Sequence, residues 1–160
     1  MLNKFNKIKL IVTDFDGILT DGGVYLSSIS DEEVKKVSFK DIMGLSLAVK
    51  NGLTVGIISG EDSPIIDNIS RRFKLEDVHK GIKHKALALN EIIEKYNLKP
   101  ENVCYLGDDI NDISALEVAG VAVTVPGANY KVQKLEGIYI TNAQAGDGAF
   151  REVIDLILDN

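Results

Sequence analysis

The chain is organised around the segment Lys9-Leu-Ile-Val-Thr-Asp14-Phe-Asp16-Gly17-Ile-Leu-Thr-Asp-Gly22. This segment begins with an apolar, β-branched run, which is the pattern of a strand buried on both faces. The run ends at Asp14 and Asp16, and burying such a pair is costly unless a cation or hydrogen-bond donors compensate the charge. Gly17 lets the backbone turn sharply after the second acid. We interpret the segment as a buried strand that ends in a metal-supported reaction centre. The alternative is a strand end capped by solvated acids.

The composition is that of a single globular domain over residues 1–160. Apolar residues make up 45% of the chain and the mean hydropathy is +0.05, which allows a sizeable buried core. The formal net charge of -6 and the isoelectric point near 4.9 argue against a nucleic-acid-binding surface. The acidic composition does not exclude an anionic substrate, because local charges and a bound cation set the local electrostatic field.

The cysteine count and the apolar segments indicate a cytoplasmic protein. Cys104 is the one cysteine, so no disulfide can form within the chain and a reducing compartment is expected. Lys7 and Lys9 interrupt the first apolar segment, which lacks the core of a signal peptide. No apolar stretch is long enough to span a bilayer. We therefore expect neither a membrane nor a nucleic acid among its partners.

Predicted strands and helices alternate along the whole chain. Strands are predicted at residues 10–12, 53–59, 77–79, 103–106, 121–125 and 138–141. Helices are predicted at residues 42–51 with Asp41 as the cap, 64–73, 84–97, 111–119, 128–135 and 150–158. This alternation predicts an α/β fold, a parallel sheet with helices on both faces. Residues 24–26 and 34–39 are predicted to form a short β-hairpin, either a flap over the site or a subunit contact.

Polar side chains collect where the predicted strands end, at Asp14, Asp16, Ser59, Asp108 and Asp109. Ligands of parallel α/β sheets bind at this edge. Adjacent buried acids such as Asp108 and Asp109 repel each other and need a cation. Taken alone, Ser59 is an ordinary turn residue and the late acids are possible helix caps. Their convergence at one edge favours a reaction centre.

Four motifs follow in order: D-x-D-G at Asp14, then Ser59-Gly60, then Lys85, then Gly107-Asp-Asp-x-x-Asp112. In order and spacing the chain resembles the haloacid dehalogenase superfamily of phosphatases over essentially its whole length. Within it, the chain is most similar to the capless family that acts on 3-deoxy-D-manno-octulosonate 8-phosphate. The residues that carry this likeness are the segment through Gly22, the hairpin in place of a cap domain, Phe39-Lys40-Asp41-x-x-Gly44 and Gly146-x-Gly148-Ala149-x-Arg151-Glu152.

This resemblance implies a Rossmann-like core with a small hairpin flap, and it implies a role for each acid. Asp14 would be the nucleophile that attacks phosphorus and forms an aspartyl-phosphate. Asp16 would protonate the leaving alkoxide and then activate water. Mg²⁺ would be held by Asp14, the backbone carbonyl of Asp16 and Asp108, since oxygen ligands suit this ion. Asp109 and Asp112 would orient metal-bound waters or Lys85.

The remaining implied roles concern phosphate and substrate. The Ser59 hydroxyl and the Gly60 amide would bind the phosphoryl oxygens, while Lys85 would add positive charge and hold Asp14. Lys40 and Arg151 are candidate carboxylate or rim partners, Glu61 could accept hydrogen bonds from sugar hydroxyls, and Asn111 is a further candidate substrate residue. The family further implies a homotetramer built through the hairpin, in which neighbours help to close each site.

Several residues depart from the family pattern and keep a second substrate open. Lys40 stands where an arginine is common, and Ala145 replaces the first glycine of the tail motif. Glu61 is typical of relatives that act on nine-carbon keto-sugar 9-phosphates, whereas Ile69 occupies a place where both groups tend to carry arginine. The likeness over the whole chain favours the eight-carbon substrate.

Two readings other than a phosphatase remain. A response-regulator receiver also clusters acids, a hydroxyl and a lysine around Mg²⁺, but it presents an acid pair first and a lone phosphorylated Asp on a middle strand. Here D-x-D-G comes first, G-D-D-x-x-D comes late and the hairpin is extra. A catalytically idle oligomerisation domain would not need the complete set of Asp14, Asp16, Ser59, Lys85 and Asp108.

Overall fold

Strand β1, Leu10–Thr13, lies at the centre of a six-stranded parallel sheet. The computed structural model describes residues 2–159. The other strands of this sheet are β4 Thr54–Ile58, β5 Asp77–His79, β6 Val103–Leu106, β7 Val121–Thr124 and β8 Tyr139–Ile140. Two short strands, β2 Tyr25–Leu26 and β3 Glu33–Val34, form a separate sheet. The helices are α1 Phe39–Lys50, α2 Pro64–Phe73, α3 Lys85–Lys95, α4 Ile113–Val118, α5 Tyr130–Gln133 and α6 Ala149–Leu158. The spatial order of the sheet is β5-β4-β1-β6-β7-β8.

The sheet is covered on both faces because its central strand alternates between two apolar clusters. Ile11 packs in one cluster, together with apolar side chains of α1, α2 and α6. Leu10 and Val12 point to the other cluster, which α3, α4 and α5 complete. Successive side chains of a strand face opposite sides of the sheet, so an unbroken apolar run fits a strand that is buried twice. The predicted α/β architecture is confirmed.

The register of the sheet brings three strand ends together. Leu10 pairs with Thr54 of β4 and with Val103 of β6, and the pairs continue in parallel to Thr13. The loops after β1, β4 and β6 therefore leave the sheet at the same edge and side by side. These loops carry Asp14, Ser59 and Asp108, which is the placement that the strand-end pattern predicted.

The strands of the hairpin flap, which we define as residues 21–37, are shorter than predicted. Only β2 and β3 pair, antiparallel, and one isolated bridge joins Thr20 to Val37. The predicted strand over 34–39 is wrong at its end because Ser38 caps α1, its hydroxyl accepting the Lys40 NH at 3.1 Å. The helix thus begins at Phe39, and the prediction that Asp41 caps it is also wrong. No further domain covers the strand ends within residues 2–159.

Among the described helices, none combines the length and the apolar character that crossing a membrane requires.

Candidate active site

The strand ends of β1, β4 and β6 surround one open pocket. Its lining consists of Asp14, Asp16, Gly17, Gly22, Ser59, Gly60, Glu61, Asp108, Asp109 and Asn111. Most of the predicted site residues are in this set. Lys85 and Asp112 are fully buried and reach the pocket through their contacts with its lining. Lys40 and Arg151 line a different cavity.

Asp14 is held by three contacts at the end of β1. Its backbone NH donates to the Leu106 carbonyl at 2.8 Å, one residue beyond the paired strand. Its Oδ1 atom accepts the Phe15 NH at 2.6 Å, and its Oδ2 atom lies 2.7 Å from the Lys85 ammonium nitrogen. The side chain therefore enters the pocket in one fixed orientation, as a nucleophile requires.

Lys85 and Asp112 form a buried network behind Asp14. The Lys85 ammonium lies 2.8 Å from Asp112 Oδ1, which also accepts the Tyr105 hydroxyl at 2.8 Å. Asp112 Oδ2 accepts the backbone NH groups of Asp108 and Asp109 at 3.1 and 3.2 Å. Asp112 thus ties the loop after β6 to the lysine that orients Asp14.

Tyr105 is a member of this network that the sequence analysis missed. Its hydroxyl lies in an otherwise apolar strand and is fully buried. Buried phenol groups need a hydrogen-bond partner. A tyrosine two residues before Gly107 therefore indicates a buried hydrogen-bond acceptor near the end of this strand.

Gly17 is required by a close approach between two loops. Its φ is +80°, and a Cβ atom built there would clash with Asp108 Oδ2. The Asp108 carboxylate therefore rests directly against the backbone that follows Asp16. Only glycine, which has no Cβ atom, adopts this positive φ readily and leaves room for the Asp108 carboxylate.

The acids of the pocket carry more negative charge than Lys85 neutralises. Burial, reinforced by the charge of Asp112, raises the pKa of Asp14 to about 8, although Lys85 opposes the shift. Burial, with Asp112 and Asp109 adding to it, raises the pKa of Asp108 to about 6. Both shifts show that a further cation would stabilise the ionised acids.

The same acids fit a magnesium ion. Carboxylate oxygens of Asp14, Asp108 and Asp112 lie within 4.8 Å of one another. Each Asp112 oxygen already accepts two donors, whereas each Asp14 oxygen accepts one, so Asp14 and Asp108 are the carboxylates with the greater capacity for a metal. An all-oxygen set of this kind suits Mg²⁺. The backbone carbonyl of Asp16 as a third ligand stays a prediction.

Asp16 has both carboxylate oxygens in polar contacts. Oδ1 accepts the Thr20 hydroxyl at 3.1 Å, and Oδ2 lies 2.7 Å from the ammonium nitrogen of Lys35 in the hairpin flap. The sequence analysis did not identify Lys35. No local pattern marks one lysine among the polar residues of a flap.

The loop after β4 supplies the other side of the pocket. Ser59 is buried, and its hydroxyl oxygen accepts the Glu61 NH at 3.1 Å, which leaves the hydroxyl hydrogen free to donate. A Cβ at Gly60 would lie 3.4 Å from the Asn111 amide nitrogen, so Asn111 reaches over this glycine. Asp109 instead caps the following turn and accepts the Asn129 amide at 3.1 Å.

Lys40 and Arg151 lie apart from this pocket in the isolated chain. The Lys40 ammonium lies 2.8 Å from Asp147 Oδ1, and Arg151 Nε lies 2.7 Å from Asp155 Oδ1. The first pair joins the start of α1 to the C-terminal tail, the second lies within α6, and both are partly or largely exposed. Their assignment to substrate stays a prediction.

The C-terminal tail is anchored by Asp41. This fully buried carboxylate accepts the backbone NH groups of Gly148 and Arg151 at 3.0 and 3.1 Å, and so caps α6 rather than its own helix. Gly146 donates to the Ile18 carbonyl at 2.9 Å. The tail therefore packs against the loop that follows the D-x-D-G motif.

Comparison with known proteins agrees with this geometry. A family model described as haloacid dehalogenase-like hydrolase matches residues 64–152, more than half of the chain. The 3-deoxy-D-manno-octulosonate 8-phosphate phosphatases KdsC of Salmonella typhi and Escherichia coli K12 are each 32% identical over 158 residues. These matches cover 99% of this chain and 83% of each relative.

Solved structures extend the likeness to three dimensions. The phosphatase of the same description from Moraxella catarrhalis, in complex with magnesium ion, phosphate ion and a KDO molecule, superposes with a TM-score of 0.92 at 31% identity. The match covers 99% of this chain and 90% of that one. The Yersinia pestis phosphatase superposes with a TM-score of 0.92 at 29% identity, over 98% and 84% of the two chains. This chain belongs to the 3-deoxy-D-manno-octulosonate 8-phosphate phosphatase family of haloacid dehalogenase-like hydrolases.

Proposed function

We propose that this phosphatase hydrolyses 3-deoxy-D-manno-octulosonate 8-phosphate to 3-deoxy-D-manno-octulosonate and phosphate. The observation that carries the proposal is the fixed pair of acids at the end of β1, with Asp14 held by Lys85 at 2.7 Å and Asp16 in the same pocket. The KdsC relatives, which match 99% of the chain, support the choice of sugar acid. The nine-carbon alternative has only Glu61 in its favour.

In the first step, Asp14 attacks phosphorus. An Asp14 oxygen forms a bond to phosphorus while the bond from phosphorus to the sugar oxygen breaks, which gives an aspartyl-phosphate. Asp16 transfers a proton to the departing sugar alkoxide. The Ser59 hydroxyl and the Gly60 amide are placed to donate to the phosphoryl oxygens, and Lys85 keeps Asp14 aimed at phosphorus.

In the second step, water releases the phosphate. Asp16, now ionised, takes a proton from a water molecule, whose oxygen attacks phosphorus as the bond to Asp14 breaks. Free phosphate leaves and Asp14 is regenerated. When bound by Asp14, Asp108 and the Asp16 carbonyl, Mg²⁺ supplies the positive charge that offsets the repulsion between these acids and the phosphate.

The stability of the metal-free protein should fall as pH rises. Asp14 and Asp108 have folded-state pKa values of about 8 and about 6, above the ordinary 3.8. Their contribution is therefore fully present below about pH 4 and is lost as pH rises through about 6 to 8. Mg²⁺ should consequently raise Tm more at pH 8 than at pH 5, by about 2–4 °C for each kcal/mol of difference.

Thermal unfolding in a chelator and in Mg²⁺ at both pH values measures this difference. Asp108→Asn should shrink it, because the amide cannot ionise and binds the cation more weakly. A Mg²⁺-induced rise in Tm that is equal at pH 5 and pH 8 would contradict the charge assignment.

A comparison of kcat/KM tests the substrate directly. The eight-carbon 8-phosphate should be the better substrate than a nine-carbon keto-sugar 9-phosphate, because kcat/KM measures discrimination in the transition state. Glu61→Ala is informative, since Glu61 is the pocket residue that pointed to the nine-carbon compound. A large preference for the nine-carbon compound that Glu61→Ala removes would reverse the assignment.

The enzyme's proposed state is a homotetramer assembled through the hairpin flap. Large apolar side chains of the flap and of the start of α1 are exposed: Tyr25 by 75%, Leu26 by 73%, Ile29 by 95% and Phe39 by 84%. Contiguous exposed apolar surface marks interaction sites. In such an assembly Lys40 and Arg151 would serve a neighbour's pocket. Light scattering at micromolar concentration tests this, and a monomer would contradict it.

A cytoplasmic location is proposed as well, which the free thiol of buried Cys104 supports.

A further inference from the structure

Lys35 is a buried charged side chain in a hairpin flap that is otherwise largely exposed. Of residues 21–36, only Lys35 is not exposed, and its side chain retains 7% of its accessible surface. The side chain of its neighbour Lys36 is 63% exposed, and its ammonium nitrogen lies 3.6 Å from Asp21 Oδ2. Burial of an ammonium group is costly without a partner. The buried position of Lys35 therefore needs an explanation that the flap itself does not offer.

The partner of Lys35 is Asp16. The Lys35 ammonium nitrogen lies 2.7 Å from Asp16 Oδ2, and among the described residues no other carboxylate lies within ion-pair distance of it. The contact joins the flap to the acid that exchanges protons with the substrate. Lysine has three donors, so the ammonium retains capacity beyond this contact.

Two contacts together fix the orientation of Asp16. Lys35 holds Oδ2, and the Thr20 hydroxyl holds Oδ1 at 3.1 Å. Thr20 is itself anchored, because its oxygen accepts the NH groups of Gly17 and Gly22 and its backbone bridges to Val37 of the flap. The Asp16 carboxyl group is thus clamped between its own loop and the flap.

We propose that Lys35 is a positioning residue, which aims Asp16 at the leaving oxygen and stabilises the carboxylate charge that develops as Asp16 gives up its proton. The inference rests on the proposed function, since it requires a phosphate ester whose leaving group needs a proton. Preorganised positive charge beside a group that becomes anionic lowers the barrier to the transfer. Because Lys35 belongs to the flap, the proton donor is fully oriented only while the flap is docked.

The test compares two leaving groups. A sugar alkoxide needs a proton as it leaves, whereas p-nitrophenolate leaves readily without one. Lys35→Met keeps the apolar stem and removes the charge. We expect it to lower kcat/KM for 3-deoxy-D-manno-octulosonate 8-phosphate by about 10- to 100-fold, a part of the 10²- to 10⁴-fold typical of general acid–base catalysis. For p-nitrophenyl phosphate the expected loss is less than about threefold, because little of that barrier depends on proton donation.

Two further variants separate positioning from folding. Lys36→Met is the matched control in the same flap, and both kcat/KM values should stay unchanged. Lys35→Arg keeps the positive charge and should restore most of the alkyl-phosphate activity. Equal losses on both substrates would overturn the proposal, since they would assign Lys35 to phosphate binding or to the fold. No loss on either substrate would overturn it as well.

The substrate proposal fails separately. A wild-type enzyme that hydrolyses other alkyl phosphates but not the octulosonate ester would contradict the choice of substrate alone. The leaving-group comparison then uses the alkyl phosphate that the enzyme accepts, and the expected ratio between the two kcat/KM losses is the same.

Discussion

Asp14→Asn should lower kcat by more than about 10⁴-fold, the range seen when an attacking group is removed from an enzyme. The amide is a poor nucleophile, and it is a weaker ligand for a hard cation than a carboxylate. The carboxylate is also the group that Lys85 holds at 2.7 Å, so the variant loses both the attack on phosphorus and the ion pair. Phosphate release measures the loss of turnover, and trapping of the phosphorylated enzyme measures the loss of attack on phosphorus.

Asp67→Asn is a suitable control for this change. Asp67 is an exposed acid of α2 that pairs with Lys80 at 2.8 Å, away from the lining of the pocket. It should retain wild-type kcat, because exposed ion pairs contribute little. Full activity of Asp14→Asn, or full activity of the wild type in a chelator, would disprove the assigned nucleophile or the metal requirement.

The largest effect on stability is expected from Asp41→Ala. Asp41 is fully buried and accepts two backbone NH groups at the start of α6. The alanine would leave these donors without an acceptor and leave a cavity, at a cost of about 2–4 kcal/mol in the free energy of unfolding. Denaturant unfolding should show this loss as a lower midpoint at an unchanged slope.

Asp147→Ala is the matched control in the same tail. Asp147 is exposed, and its pKa is lowered by its hydrogen bond and ion pair with Lys40. An exposed surface pair of this kind contributes little to stability. If both variants unfolded at the same midpoint, the cap formed by Asp41 would not be a major determinant of stability.

The parts of the site that could be predicted are those that follow from strand ends. Asp14, Ser59 and Asp108 directly follow or lie close after apolar runs, and a parallel sheet brings such positions to one edge. Helix α2 was predicted with its observed bounds, because Pro64 at the first helical position and an amphipathic run define it.

The parts that escaped prediction depend on contacts between distant residues. Lys35 reaches Asp16 across 19 positions of sequence, and Asp41 reaches Gly148 across 107. Neither contact leaves a local periodicity, since Lys35 lies in an irregular flap and Asp41 occupies a position that is equally typical of a helix cap. The start of α1 was misplaced for a local reason, because Ser38 and Asp41 both have the chemistry of a cap.

The central position of β1 has a consequence for how the chain is made. Leu10 pairs with Thr54 and with Val103, so β1 leaves the ribosome before both of its partner strands and waits for them. At about 5–20 residues per second, β6 follows β1 after roughly 5–20 s. During that interval an apolar strand has an unpaired edge, which is the feature that promotes aggregation. A nascent chain that stalls before residue 103 should therefore depend on chaperones, because the edge of β1 that pairs with β6 is still open.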